Sequence, residues 1–393
     1  MKTGGTVSAS DKPGSLDFFA VAAPGLEEAL AGELRQLPGC EHAAAVPGGV
    51  EWRGDLSSMM RANLWSRVAT RIIARVAKIE AKRFPALRRR AAELPWEMFV
   101  PAGAALTISV SASRCRLWHG GAVEENLRLA IADRVSIAPD SSGTSDAPKI
   151  EARILARGLD DNWVLSVDSS GELLHRRGWR VENGAAPIRE TLAAGVLRLC
   201  AWDPSTALAD PMCGAGTFPI EAASVALGRA PGLERSFAFQ QWAGFQSRAW
   251  QDLVDQARTA VRPAPAAAIV GADRDADAVA RARRHAERAG VAHAIDFRVA
   301  ETAAPLPPAS KGLVVCNPPY GHRLAHPSAA RRVYRAIGDL RRAQLANCDL
   351  VLLMPRALSP MATGLGAPAE QIPLQNGGLP VSLAIWRGRN LGS

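Results

Sequence analysis

The chain has 393 residues, of which 48% are hydrophobic and 22% charged, a composition typical of a globular protein with room for two or three domains. Its net charge of +9 and isoelectric point near 9.7 favour a polyanionic partner such as nucleic acid, although an arginine-rich surface without one would give the same values. Six scattered cysteines without a C-x-x-C pair argue against a zinc site or a disulfide framework, and no metal is expected. The polar N-terminus and the lack of any run of about 18 apolar residues argue against a signal peptide and a membrane span. We therefore expect a cytoplasmic protein.

The N-terminal part of the chain is predicted to be a mixed α+β module. Residues 1–15 form a polar tail that is expected to be disordered, and residues 16–175 carry the module. After a strand, a turn, a helix and a short strand, a long basic helix is predicted from Leu56 to about Val76. Four of its arginines would lie on neighbouring turns, several of them on one face: Arg61, Arg67, Arg71 and Arg75.

The rest of this module is predicted to be mostly strands. Apolar and polar residues alternate over 105–113, which indicates a half-buried strand, and Arg114 and Arg116 follow it directly. A helix is predicted from about Val123 to Val135, and a loop at 139–148 by composition. Two further strands, in "KIEARILARG" and "NWVLSVDSSG", are expected to form a hairpin.

The pattern changes after a predicted linker at 176–187. From residue 188 to 393, short apolar strands alternate with helices, which predicts a mostly parallel, doubly wound sheet. The segment "AEQIPLQNGGLPVSLAIWRG" predicts a final antiparallel hairpin turned at Asn376-Gly377-Gly378. The second domain is therefore expected to be of the α/β class.

A glycine turn follows the first strand of this sheet, in "DPMCGAGTF" (210–218). Asp210 ends the strand, and Gly214 and Gly216 allow the backbone to pass close to a ligand before the next helix. No G-K-[ST] follows, and the third glycine of the dinucleotide fingerprint is absent. A triphosphate or dinucleotide therefore fits poorly, and a cofactor without a pyrophosphate fits better.

Acidic residues also end the next two strands. Asp273, in "GADRD", stands where a carboxylate accepts hydrogen bonds from ribose hydroxyls, although Asp273 or Asp275 could equally cap the next helix. Glu301 ends the third strand, where it could receive an adenine amino group. The glycine turn and these acids, in this order within one sheet, predict S-adenosylmethionine as the cofactor.

The fourth strand runs into "VVCNPPYGHRL" (314–324). Two prolines cannot extend a central strand, so Asn317 stands at the carboxyl edge of the sheet. The nitrogen lone pair of a nucleobase amino group is delocalised into the ring. Two acceptors that bind its N–H groups, the Asn317 side-chain oxygen and the Pro318 carbonyl, would direct that lone pair toward an incoming methyl. Tyr320 offers a face on which a flipped-out base can stack.

These motifs resemble those of the class I methyltransferases that act on exocyclic amino nitrogens. The wider chain is similar to the THUMP-domain RNA guanine-N2 methyltransferases of rRNA and tRNA. The similarity spans nearly the whole chain and is carried by "PGLEEALAGEL", "RANLWSRVATRI", "SGELLHRRGWR", "APIRETLAAGVL", "DPMCGAGTFPIEAA" and "CNPPYGHRL". It implies a Rossmann-like catalytic domain preceded by a ferredoxin-like and THUMP module that docks RNA.

The resemblance also implies roles for individual residues. Asp273 would hold the ribose, Glu301 the adenine, and Asn317, Pro318 and Tyr320 the target guanine. The other residues expected to bind the cofactor are Asp210, Met212, Cys213, Gly214, Gly216, Thr217 and Arg274, and Asn317 is expected to contact the cofactor as well as the base. The residues expected to contact RNA phosphates are Arg71, Arg75, Arg114 and Arg116. The sequence departs from the family at His322, where an acid is usual, and at Ala215, where serine is more frequent.

Two other readings stay open on the sequence alone. Enzymes that methylate adenine N6 or a protein glutamine share the N-P-P-Y motif, so the motif does not exclude them. A non-catalytic RNA-binding or assembly protein could retain a methyltransferase fold, but here the expected cofactor residues are present. A THUMP-bearing thiolation enzyme is disfavoured because no pyrophosphatase-type glycine loop and no paired cysteines occur.

Overall fold

The computed structural model describes residues 15–138, 150–180, 188–301, 311–319 and 327–388. The predicted loop at 139–148, most of the predicted tail, and Tyr320 and His322 lie outside these ranges. None of the helices within these ranges is long and apolar enough to cross a bilayer.

The N-terminal module is one seven-stranded sheet in the order β2-β3-β1-β4-β7-β6-β5. Only the β5–β6 pair at one edge is parallel; the other neighbours are antiparallel. The predicted hairpin is confirmed as β6–β7. The strands are β1 (Leu16–Val21), β2 (Ala44–Val46), β3 (Gly49–Gly54), β4 (Arg71–Glu80), β5 (Ala105–Ser113), β6 (Glu151–Leu159) and β7 (Asn162–Asp168), and the described helices are α1 (Glu27–Leu34), α2 (Leu56–Trp65), α3 (Phe84–Ala92) and α4 (Gly120–Ala132).

The predicted long helix from Leu56 to Val76 is wrong. Helix α2 ends at Trp65, and Arg71 and Arg75 lie on strand β4. The buried carboxylate of Glu33 on α1 accepts hydrogen bonds from Ser66 Oγ and from the backbone N–H groups of residues 67 and 68, at 2.7, 3.0 and 3.2 Å. These contacts hold the chain in a turn where the helix would have continued. Beyond it, β-branched residues favour a strand. The four arginines therefore do not share a helical face.

The C-terminal domain is a second seven-stranded sheet, in the order β10-β9-β8-β11-β12-β14-β13. Five neighbouring strands, β10 to β12 in that order, run parallel. The last two form the predicted antiparallel hairpin, which turns at Gly377-Gly378. The strands are β8 (Ala207–Asp210), β9 (Ile269–Asp273), β10 (Asp296–Val299), β11 (Gly312–Cys316), β12 (Asp349–Pro355), β13 (Glu370–Asn376) and β14 (Leu379–Trp386), and the described helices are α5 (Glu190–Leu199), α6 (Thr217–Ala226), α7 (Ser247–Thr259), α8 (Ala276–Arg288) and α9 (Pro327–Gln344).

The two sheets are joined by a packed interface, and one buried hydrophobic cluster extends through both. The Arg177 guanidinium lies 3.4 Å from the carboxylate of Glu221 on α6, and both side chains are buried. Arg177 also donates to the carbonyl of Arg67, whose own guanidinium donates to the carbonyls of Ser224 and Arg229. The N-terminal module is thereby fixed against the first helices of the C-terminal domain.

Candidate active site at the carboxyl edge of the second sheet

Strands β9, β8 and β11 are adjacent and parallel, so their carboxyl ends meet at one edge of the sheet. Asp273, Asp210 and Cys316 end these three strands, and Asn317 follows directly. In open parallel sheets this edge is where ligands bind. The fold thus brings together residues that are far apart in sequence.

Asp273 holds the glycine turn in place. Its two carboxylate oxygens accept hydrogen bonds from the backbone N–H of Gly214 (2.9 Å) and of Asp275 (3.0 Å). Helix α8 is capped by Asp275, whose side chain accepts from the N–H of Asp277. Asp273 is therefore not the cap, and its remaining lone pairs can accept hydrogen bonds from a ligand.

Glycine is favoured at the two positions of the turn for different physical reasons. Gly216 has φ 84°, and a Cβ there would come within 2.9 Å of the Ala282 Cβ on α8, so close packing requires glycine. Gly214 has φ 52°, and a Cβ there would meet nothing within 4 Å. The backbone at Gly214 therefore faces open space beside Asp273, as a turn that passes close to a cofactor requires.

Asp210 is buried, and its carboxylate accepts a hydrogen bond from the Met212 N–H at 3.1 Å. Burial raises the pKa of Asp210 well above its ordinary value, the nearby Asp273 charge adds to this, and the Met212 N–H opposes it. A cation bound at this edge would favour the ionised form and lower that pKa.

The thiols at the site are not nucleophiles at neutral pH. Burial, and then the charges of Asp210 and Asp273, raise the pKa of both Cys213 and Cys316 well above the ordinary value for a thiol. Cys213 donates its backbone N–H to the Ala272 carbonyl at 2.8 Å, so it ties the glycine turn to β9. These cysteines shape the turn and do not supply a thiolate.

Thr217, the first residue of α6, has a partner that the sequence analysis missed. Its hydroxyl oxygen accepts from Arg180 Nη2 at 2.9 Å, and Arg180 Nε donates to the buried Glu190 at 2.7 Å. Arg180 also lies over the Trp179 ring. The sequence signal was present in "RRGWR", but sequence spacing alone did not connect that segment with the glycine turn.

Asn317 carries an unsatisfied acceptor. Its side-chain oxygen is buried and has no hydrogen-bond partner in the described part of the chain. A buried carbonyl without a donor costs free energy, roughly 1–3 kcal/mol, and in native structures it calls for an explanation. Pro318 beside it is buried, and Pro319 is half-buried. An acceptor in this position is suited to bind the N–H of a substrate.

Two predicted cofactor residues lie farther from this geometry. Both side chains are exposed; Arg274 directly follows the end of β9, and Glu301 lies two residues after the end of β10. The Ala300 N–H donates to the Asp273 carbonyl at 2.9 Å, which places Glu301 next to the end of β9. Their roles toward the cofactor stay predictions.

The arginines predicted to contact RNA differ in exposure. Arg71 is buried and paired with Asp168, so it is not available to a phosphate. Arg75 lies over the Phe19 ring and pairs with Glu51. The exposed ones are Arg114, which is bound by Asp160 through two hydrogen bonds, and Arg116, 3.7 Å from Asp161.

Trp118 was not assigned a role from the sequence. Its side chain is 77% exposed in the loop between β5 and α4, two residues from Arg116. An exposed tryptophan beside arginines offers a stacking face for an unpaired base.

Comparison with known proteins identifies the family. The family model of the UPF0020, RMKL-like methyltransferase domain matches residues 177–384, and the model of the RlmL ferredoxin-like domain matches residues 17–73. The chain belongs to this methyltransferase family. Its members are class I enzymes that use S-adenosylmethionine, and the predicted fold and cofactor are confirmed.

Three curated relatives support the assignment. The chain is 32% identical to slr0064 of Synechocystis sp., which carries a provisional RNA methyltransferase name, over 96% of this chain and 97% of that protein. It is 35% identical to the ribosomal RNA large subunit methyltransferase K/L of Magnetococcus marinus and 33% identical to that of Syntrophotalea carbinolica, covering 94% and 84% of this chain. The chain spans about half the length of these two K/L proteins, 52% and 48%.

Solved structures show the same architecture along nearly the whole chain. SMU.472, which carries a provisional methyltransferase name and was solved with S-adenosylhomocysteine (SAH), is 27% identical with a TM-score of 0.85, and the match covers 97% of this chain and all of that one. A Listeria monocytogenes protein named as a predicted N6-adenine-specific DNA methylase is 29% identical with a TM-score of 0.84, covering 95% of this chain and 97% of that one. Thermus thermophilus TrmN shares the fold, with a TM-score of 0.70 at 20% identity. That match covers 95% of this chain and all of that one.

Proposed function

We propose that the chain transfers a methyl group from S-adenosylmethionine to the exocyclic N2 amino group of a guanine in RNA. The observation that carries this is the buried, unpartnered side-chain oxygen of Asn317 at the end of β11, beside the glycine turn held by Asp273. The two K/L relatives are named as rRNA enzymes, which favours RNA over DNA or protein as the substrate. A cytoplasmic location would follow from such a substrate.

The residues of the site would act mainly by positioning. Gly214 and Asp273 would hold the nucleoside part of the cofactor, and the residues around Asp210 would hold its methionine part. The sulfonium of the bound cofactor would supply an electrophilic methyl group. Asn317 Oδ1 would accept one N–H of the target amino group and the Pro318 carbonyl the other. This would direct the nitrogen lone pair out of conjugation with the ring. Alignment of this kind is a large source of rate enhancement for a reaction in which the attacking nitrogen does not have to be deprotonated by a strong base first.

No catalytic thiolate or strong base is required by this scheme. The high pKa values of Cys213 and Cys316 keep both thiols neutral, so neither competes with the substrate nitrogen for the methyl group. A nitrogen that gains a methyl becomes acidic, and its proton can leave to water. Among the described residues there is also no cluster of His, Cys, Asp or Glu suited to hold a metal ion.

The N-terminal module would bring the RNA to this site. Trp118, Arg114 and Arg116 are all exposed in the segment between β5 and α4, and the interface through Arg177 fixes that module relative to α6. An enzyme that methylates adenine in DNA or a glutamine side chain in protein would use the same Asn317 geometry. The module and the names of the relatives are what favour RNA.

The deciding experiment is methylation of fractionated RNA from a strain that lacks this protein, with labelled S-adenosylmethionine. Nucleoside digestion and mass spectrometry identify the product, and the rRNA and tRNA fractions are assayed separately. N2-methylguanosine in one fraction supports the proposal and selects the substrate. Label in N6-methyladenosine, or in protein alone, would contradict the base or the substrate class.

A further inference from the structure

A cleft of about 730 Å³ lies where the two modules meet, and positive charge predominates in its lining. Its walls come from the segment after β7, the start of α5 and the segment before α7. Its lining contains three glutamates and five arginines. The arginines are Arg176, Arg177, Arg180, Arg189 and Arg235.

The glutamates neutralise only part of this charge. Glu190 is paired with Arg180 at 2.7 Å, and Glu234 is paired at 2.7 Å with Arg229, which is not part of the lining. The third, Glu172, pairs with Arg176 at the exposed rim. Since Arg177 is paired with Glu221, the arginines without a carboxylate partner in the described chain are Arg189 and Arg235.

Three residues of the lining also carry a buried nitrogen that has no hydrogen-bond partner among the described residues. These nitrogens are His175 Nδ1, Arg180 Nη1 and Arg235 Nε. The two guanidinium nitrogens are donors, and His175 Nδ1 donates in one of the two neutral tautomers. Unpartnered buried donors cost free energy, and small side-chain rotations toward an occupant with acceptor oxygens would remove that cost. The two guanidinium donors in one cleft therefore point to an occupant rich in such oxygens.

The pKa of His175 reflects the positive charge of the arginines around it. Burial lowers the pKa of His175 to about 4, and the charges of Arg189, Arg177, Arg176 and Arg180 act in the same direction. The ring is therefore neutral near pH 7. An anion held among these arginines would offset their charge and raise that pKa.

The cleft is not isolated. A second one of about 350 Å³ shares Glu172 and Ser236 with it and extends to Arg153 on β6. At the other end, Arg180 donates to the hydroxyl of Thr217 beside the glycine turn. The second cleft has one arginine against three carboxylates (Glu151, Asp168 and Glu172), so the arginine lining is confined to the first cleft, which leads through Arg180 toward the candidate active site.

We propose that this cleft holds a phosphodiester group of the RNA strand that presents the target base to Asn317, an inference that rests on the proposed function. Phosphate oxygens match the unpartnered donors and the unbalanced guanidinium charge. A strand, in contrast to a single small anion, would extend along the first cleft toward Thr217 and the glycine turn.

The test compares Arg189→Gln and Arg176→Gln with Arg258→Gln, a variant that removes the same charge at an exposed position on α7 outside the cleft. RNA affinity is measured at several salt concentrations on the full chain. For single-stranded RNA, the log–log salt slope becomes shallower by about 0.7 for each phosphate that the protein no longer neutralises. We expect that reduction in both cleft variants and no change in Arg258→Gln, with S-adenosylmethionine affinity equal in all of them.

The outcomes separate this inference from the proposed function. Wild-type protein that methylates RNA, together with cleft variants whose salt slope matches that of Arg258→Gln, would overturn the cleft assignment and leave the function standing. Wild-type protein that methylates no RNA would remove the function on which the inference rests.

A second measurement separates RNA from free phosphate. The His175 ring is followed by NMR during pH titrations with an RNA oligonucleotide or with inorganic phosphate. We expect RNA to raise the His175 pKa, and to do so less in Arg189→Gln. A rise produced by inorganic phosphate but not by RNA would assign the cleft to a free anion and overturn the proposal.

Discussion

Replacement of Asn317 by alanine should separate activity from stability. The buried side-chain oxygen of Asn317 has no donor in the described chain, so its removal takes away an unsatisfied acceptor that costs roughly 1–3 kcal/mol. The free energy of unfolding should therefore stay the same or rise. Methyl transfer should fall by about 10²–10³, the loss found when a donor or acceptor aimed at a transition state is deleted.

Asn63 provides the matched control. It is also buried, but its side chain donates to the Met59 carbonyl at 3.1 Å and accepts from Ser170 Oγ at 2.7 Å. Asn63→Ala leaves these partners unpaired and should lower the free energy of unfolding by about 1–3 kcal/mol, with kcat of the folded enzyme retained.

Single-turnover methylation, chemical denaturation and calorimetry of S-adenosylmethionine binding measure the three quantities. Cofactor affinity of Asn317→Ala should stay within a few fold of wild type. If Asn317→Ala lost stability as Asn63→Ala does and kept its turnover, Asn317 would be a structural residue and the proposed mechanism would be refuted.

Three further predictions concern the cofactor and RNA surfaces. Asp273→Asn replaces one of the oxygens that bind Gly214 and Asp275 by an NH₂ group and should weaken cofactor binding by about tenfold or more. Asp275→Asn keeps a good helix cap and should bind the cofactor as the wild type does. Equal cofactor affinities of the two variants would leave Asp273 without a cofactor role. Because the pKa of Asp210 is raised, the cationic cofactor should displace its proton at pH values between the cofactor-bound and the cofactor-free pKa. Calorimetry at a series of pH values, in buffers of different ionisation enthalpy, should detect a window of proton release that Asp210→Asn abolishes; no such window at any pH would remove Asp210 from the cofactor site. Trp118→Ala should weaken RNA binding by about 1–3 kcal/mol with no loss of thermal stability, since this side chain is exposed; unchanged affinity would remove it from the RNA surface.

The same Asp210 shift also sets how stability depends on pH. A carboxyl whose pKa is raised by folding binds a proton more tightly in the native state, so its contribution favours folding as pH falls through the native pKa. Above that pH the buried charge opposes folding. Bound cation should reduce this penalty, so the stabilisation by cofactor should be larger at the higher pH.

The second sheet was predictable because its signals are local. Short apolar strands end at Asp210, Asp273 and just before Asn317, and a glycine turn follows the first and prolines follow the last, so local patterns located each strand along the chain. The carboxyl edge followed from the rule that parallel strands meet there.

The failures have a common physical cause, which is contact between distant segments. The helix predicted through Arg71 stops because Glu33, more than thirty residues earlier, accepts hydrogen bonds from the turn after Trp65. No local pattern in the segment itself contains that carboxylate. The buried pairing of Arg71 with Asp168 was missed for the same reason.

Arg180 connects the two parts of the proposed mechanism. It lines the junction cleft, pairs with Glu190 and donates to Thr217 at the start of α6. Its remaining Nη1 has no partner in the described chain. An RNA phosphate in the cleft would therefore draw on the same guanidinium that positions the first turn after the glycines. Substrate binding at the junction and the geometry of the cofactor turn are then linked through one side chain, and occupancy of either should alter the affinity of the other by the same factor.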